Sequence, residues 1–193
     1  MREINKEVNC KNVGVRASDT DNAIILIHHS ARFNFNIWMD VGTSGKNNRR
    51  FINISSIASS LGNEMCAALP AFHSFTGSDY TSAFVRKGKI RSFLNLQKND
   101  AAQIAFAELG QSQPLSHTTE KALQMFTSCM YGAKGQGCDL NKHRFKTVEK
   151  AYSPKLRSEN PLGRLKGIDG SLTPPGKAEL IEHIRRSSFV VRM

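Results

Sequence analysis

The sequence is poor in cysteine. Its 193 residues hold four, Cys10, Cys66, Cys129 and Cys138, with no Cys-x-x-Cys pair. Such scatter in an intracellular chain reads as free thiols. Cys129, Cys138 and His143 can be imagined as zinc ligands, but a fourth ligand at suitable spacing is missing. Long apolar runs are lacking too. The longest aliphatic stretch, Ala23–Ile27, is far too short to span a bilayer. The opening Met-Arg-Glu-Ile-Asn-Lys-Glu-Val has no apolar segment of the secretory kind, so an intracellular, nuclear location is expected. No internal repeat or low-complexity tract is visible. Acidic residues are few: 16 Asp+Glu face 27 Lys+Arg, a formal charge of +11. A polyanion is the natural partner, nucleic acid first. With 39 % hydrophobic residues the chain can bury a core.

Val13–Ala17 reads as a short strand. The apolar segment Asn22–His29 follows, and Ser18 or Asp19 as helix N-cap favours strand–turn–helix. Phe35–Met39 and Arg50–Ile54 form a hairpin around the polar loop Gly42–Asn48. Ser55 or Ser56 caps a short helix ending at Gly62, and a second helix runs from Asn63 toward Phe75, bent at Pro70. Gly77–Thr81 breaks it, with a helical turn expected at Ser82–Phe84. Further helices are predicted from about Ile90, over Ala101–Leu109 and Thr119–Tyr131, the last two stopped by Gly110 and Gly132. Lys150–Gly170 reads as an extended basic connection. A last helix is expected to begin at Pro174-Pro175, with Ala178, Ile181, Ile184 and Phe189 on one face. The chain stops at Met193 while still apolar, which reads as a truncated product or an incomplete gene model.

Candidate chemistry lies in three places. Asp19 and Asp21 follow a strand, where ligands of open α/β sheets bind. Two carboxylates so spaced suit a hard cation such as Mg²⁺, although an Asp before a helix is commonly only its cap. Asp79, after Gly77, can project from a sharp bend, or again serve as a boundary cap. The turn Arg86-Lys87-Gly88-Lys89-Ile90-Arg91 places four cations around a glycine that opens a helix. That combination of helix N-terminus and counter-charge is a ready phosphate site, although a solvated basic loop would look the same. His28, His29 and His73 are taken as structural.

The order Asp19-Thr20-Asp21, then Gly77-Ser78-Asp79-Tyr80-Thr81, then Lys87-Gly88-Lys89 resembles the C-terminal half of the flap-endonuclease/XPG family of 5′-nucleases, whose core is PIN-like. The likeness spans Val13 to about Leu96. Arg86 stands where that family has the first glycine of its helix–two-turn–helix element. The family completes its metal cluster with carboxylates on earlier strands and on a Glu-rich helix, which Glu3 and Glu7 do not match. A longer resemblance is to transposon-associated animal proteins. It rests on Asp19-Thr20-Asp21, on Leu69–Gly77 running into Thr81–Phe84, on Tyr131-Gly132 and on Asp169–Leu172.

These likenesses imply an α/β fold: a partial PIN-like parallel sheet with helices over residues 1–100, then a helical basic region over 101–193. They imply Asp19, Asp21 and Asp79 holding Mg²⁺ or Mn²⁺ for phosphodiester hydrolysis. Arg86, Lys87, Gly88, Lys89 and Arg91 would grip DNA, and the other half of the active site would lie upstream. The competing expectations are a non-catalytic nucleic-acid-binding fragment of a mobile element and an interaction module.

Overall fold

A computed structural model describes residues 11–42, 48–111, 114–133, 139–152 and 169–192. The chain divides into two compact units, Met1–Pro70 and Ala71–Met193. The architecture is α/β, mostly helical, with a small sheet. Among the described residues no helix is long and apolar enough to cross a membrane.

The first unit is built on strands β1 (Asn12–Arg16), β2 (Asn36–Val41) and β3 (Arg50–Asn53) in that order. β1 and β2 run parallel, Val13 opposite Ile37 and Arg16 opposite Asp40. β2 and β3 run antiparallel as the expected hairpin, so the sheet is mixed and not purely parallel. Residues 43–47 of its loop lie outside the described residues. A parallel pair needs a crossover, and α1 (Thr20–His29) supplies it. Asp19 caps that helix, accepting from the Asp21 amide at 3.3 Å. Helix α2 (Ile54–Leu61) is capped by the Asn53 side chain and packs on α1 and β2, where the Ser55 hydroxyl accepts from the Ile37 amide. Ile37, Met39 and Ile54 are buried. His28 meets the Cys66 carbonyl through Nδ1 at 3.0 Å, a structural use of that ring. Helix α3 (Asn63–Phe75) carries Pro70 internally and runs across the division.

The second unit is helical: α4 (Lys89–Leu96), α5 (Asp100–Leu109), α6 (His117–Met130), α7 (Leu140–Tyr152) and α8 (Lys177–Arg192). α6 is central and touches α4, α5, α7 and α8. Local signals explain the boundaries. Asn99 and Ser116 cap α5 and α6 by accepting from amides three residues on. Gly132, at φ +93, closes α6 with the Ala133 amide bonded back to Ser128. The core is aromatic: Phe72, Phe75, Phe106 and Phe126 are buried, and Phe106 meets Phe126 edge-on at 5.2 Å. Such pairs add to the area they bury.

Further expectations need correction. Ser82–Phe84 is not helical; the Phe84 carbonyl instead accepts from the Lys87 amide and bends the chain. α7 was not anticipated. The last helix starts at Lys177, because its first internal bond runs from the Leu180 amide to Gly176 and leaves both prolines outside. Its buried positions include Leu180, Ile184, Ser187 and Ser188, while Phe189 and Ala178 are exposed. The serines are tolerated there because their hydroxyls donate to the His183 and Leu109 carbonyls. Of the Lys150–Gly170 connection, residues 153–168 lie outside the described residues, as do Glu3, Glu7, Cys10 and Cys138.

Candidate nucleic-acid interface

The turn between α3 and α4 lies wholly in the second unit. Gly77 (φ +115) starts it in a conformation that side chains resist, and a Cβ there would meet the Ala83 Cβ at 2.7 Å. Ser78 and Thr81 then clamp a tight bend. Their backbones exchange hydrogen bonds at 3.1 and 3.3 Å, the Thr81 hydroxyl donates to the Ser74 carbonyl, and the two hydroxyls lie 2.9 Å apart. Asp79 and Tyr80 occupy the exposed tip. Three residues of the Gly77–Thr81 motif thus have structural work. The Asp79 carboxylate has no hydrogen bond or ion pair among the described residues.

Arg86 follows at φ +55, the non-glycine residue with positive φ among the described residues. That conformation costs a β-carbon about 1–2 kcal/mol. Gly88 is the N-cap of α4 and supplies no side chain to its first-turn amides. A Cβ at Gly88 would meet nothing within 4 Å, so the helix start is open. Around it stand Arg86, Lys87, Lys89 and Arg91. Lys89 is tied back, its Nζ 3.0 Å from His73 Nδ1 and donating to the His73 carbonyl at 3.4 Å. Lys87 Nζ lies 4.2 Å from the centroid of the Tyr131 ring. Partial burial, and then Arg91, pull the Lys87 pKa down. No ion pair engages Arg86, Lys87 or Arg91 among the described residues. Asp169 feels Arg86 electrostatically, but its own acidity comes first from the Ser171 hydroxyl and amide.

Nothing in the sequence around Lys87 shows what adjoins it. Tyr131, at the end of α6, lies under its ammonium, and His143 of α7 feels the charges of Lys87 and Lys146. His143 has its pKa lowered, first by burial and then by those two cations; the Tyr131 backbone opposes the shift. The available signal was the spacing His143, Lys146, Lys150 in a basic stretch.

The aspartates are divided between the units. Asp19 and Asp21 lie in the first, just beyond the carboxyl end of β1, and Asp79 lies in the second. Asp40, at the same end of β2, is spoken for. Arg49 grips it bidentately at 2.9 and 2.8 Å, which lowers its pKa. Among the described residues no group of three or more His, Cys, Asp or Glu side chains is placed to hold a metal ion. An open hollow of about 340 Å³ in the first unit, lined by Lys11, Ser30, Phe33–Asn36 and Ser55, offers no carboxylate.

No family model, curated protein or solved structure matches the chain.

Proposed function

We propose that this chain binds the sugar-phosphate backbone of DNA, without reading sequence, through the turn ending in α4. The observation that carries the reading is the left-handed Arg86 leading into an open, glycine-started helix, with Lys87 and Arg91 beside it in no ion pair among the described residues. Helix N-termini favour phosphate, and cations that neutralise phosphates make binding salt-dependent. Arg86 also stands where flap endonucleases have a glycine, and φ +55 is a conformation glycine takes readily. That agreement supports a turn of the helix–two-turn–helix kind. The test is fluorescence anisotropy with two duplexes of unrelated sequence across a KCl series. Equal affinities and a steep salt slope are expected, and Lys87→Gln with Arg91→Gln should flatten it by about 0.9 per lost contact. An unchanged slope in that variant would rule the turn out.

A second reading is metal-dependent phosphodiester hydrolysis of the flap-endonuclease type on a PIN-like sheet, using Asp19, Asp21 and Asp79 with Mg²⁺ or Mn²⁺. Two observations favour it. Asp19 and Asp21 follow a strand paired in parallel, as ligand sites of α/β sheets do. Asp79 is exposed at the tip of a bend that Ser78 and Thr81 hold without its help. The DNA-binding reading stands without this one.

A further inference from the structure

Helix α7 is basic and sparsely covered. Leu140 is its buried side chain among those described, and most others are exposed. His143, Lys146 and Lys150 stand at i, i+3 and i+7, which places them on one stripe. Arg144 leaves by the other flank, donating to the Pro174 carbonyl at 2.9 Å. The stripe begins beside the turn. α7 packs on α6, whose end carries Tyr131, and Lys87 caps the Tyr131 ring at 4.2 Å, so that His143 feels the charge of Lys87. Asp139 faces the start of the helix, where it accepts from the Lys142 amide. Glu149 projects roughly 120° round the axis from His143 at 100° per residue. No ion pair engages Lys87, Arg91 or Lys146 among the described residues. Like charges gathered this way repel, and a polyanion relieves them.

We infer that the nucleic-acid face of the turn continues along α7, with His143, Lys146 and Lys150 tracking the phosphates of the strand that the turn holds. The inference rests on the backbone-binding reading of the turn and extends it to a second element. Seven residues at 1.5 Å each make a stripe about 10 Å long. At 3.4 Å of axis per phosphate of one strand, that matches roughly three phosphates. A lipid surface fits less well. Membrane-lying helices bury a broad apolar face, and among the described side chains of this helix Phe145 and Val148 are the large apolar ones exposed, too few to make one.

The experiment compares salt slopes of the full chain on a labelled duplex for the wild type, Lys146→Gln/Lys150→Gln and Lys87→Gln/Arg91→Gln. The α7 variant should lower the slope by roughly 1–2 and weaken binding at low salt, and Lys146→Arg/Lys150→Arg should restore both. All four side chains are exposed or half-exposed, and unchanged melting temperatures would exclude unfolding as the cause. A flattened slope in the turn variant with an unchanged slope in the α7 variant would overturn the inference and leave the turn reading intact. Unchanged slopes in both would remove both. If the α7 variant lost binding to phosphatidylserine vesicles while keeping DNA affinity, the stripe would belong to lipid and the inference would fall.

Discussion

Lys87 holds its ammonium 4.2 Å from the centre of the Tyr131 ring, so the end of α6 aims a cation of the α4 turn. A cation over an aromatic face gains about 0.5–1 kcal/mol at exposed sites. Tyr131→Leu should therefore weaken duplex binding roughly two- to fivefold, while Tyr131→Phe keeps the ring and the affinity. Equal affinities for all three proteins would show that the ring does not position Lys87 for DNA.

Acid should act in opposite directions on the free and the bound protein. His143 and His183 both have pKa values below 6.5, each chiefly through burial. A base whose folded pKa is depressed binds fewer protons folded than unfolded, so stability falls as pH drops below 6.5 and levels off below the folded pKa. Thermal melts of the free protein should accordingly decline between pH 7.5 and 5.5. His183→Gln should reduce that decline, since an amide N–H can still serve the Phe75 carbonyl that His183 Nε2 meets at 2.8 Å. Phosphate beside His143 favours the charged imidazole, so duplex affinity should rise over the same interval and lose that rise in His143→Gln. Melts independent of pH, or a rise unaffected by the substitution, would contradict this account.

Local chemistry made much of the fold legible. Asp19 caps α1, Gly132 ends α6, and a turn-rich polar segment marked the hairpin, each signal lying within a few residues of its effect. α7 escaped because Leu140 is its buried side chain among those described, leaving no apolar period to read. The buried face of α8 was misread because Ser187 and Ser188 occupy core positions that an apolar count skips. The basic turn was visible, but its continuation onto Tyr131 and His143 depends on packing between helices distant in sequence. Such contacts leave no periodic trace.

The Gly77–Thr81 bend should separate structural from functional positions. Gly77→Ala puts a Cβ 2.7 Å from that of Ala83 and 2.9 Å from its Cα, at φ +115. Strain and overpacking each cost about 1–3 kcal/mol, so a loss of roughly 2–6 kcal/mol is expected in urea unfolding. Asp79→Asn, at the exposed tip, should change stability by no more than about 0.5 kcal/mol. A large loss for Asp79→Asn would make that carboxylate structural and weaken the hydrolytic reading.

The hydrolytic reading has its own test, and the capping role of Asp19 decides how to run it. Its Oδ1 accepts from the Asp21 amide, so Asp19→Ala would remove a cap worth about 1 kcal/mol and confuse instability with lost chemistry. Asn caps about as well as Asp, so Asp19→Asn removes the charge and keeps the helix. Under the hydrolytic reading, Mn²⁺ binding by calorimetry should weaken in Asp19→Asn while the melting temperature holds, because hard cations need the anionic oxygen. Cleavage of flap, bubble or blunt duplex should then require Mg²⁺ or Mn²⁺ and drop to background in Asp19→Asn and Asp79→Asn alike, since a metal-activated water depends on every ligand charge. Loss of cleavage in one variant alone would break the link between the two motifs. Metal-independent cleavage, or cleavage equal in all three proteins, would assign the activity to something other than these aspartates. The salt-dependent grip of the α4 turn would then stand as the function.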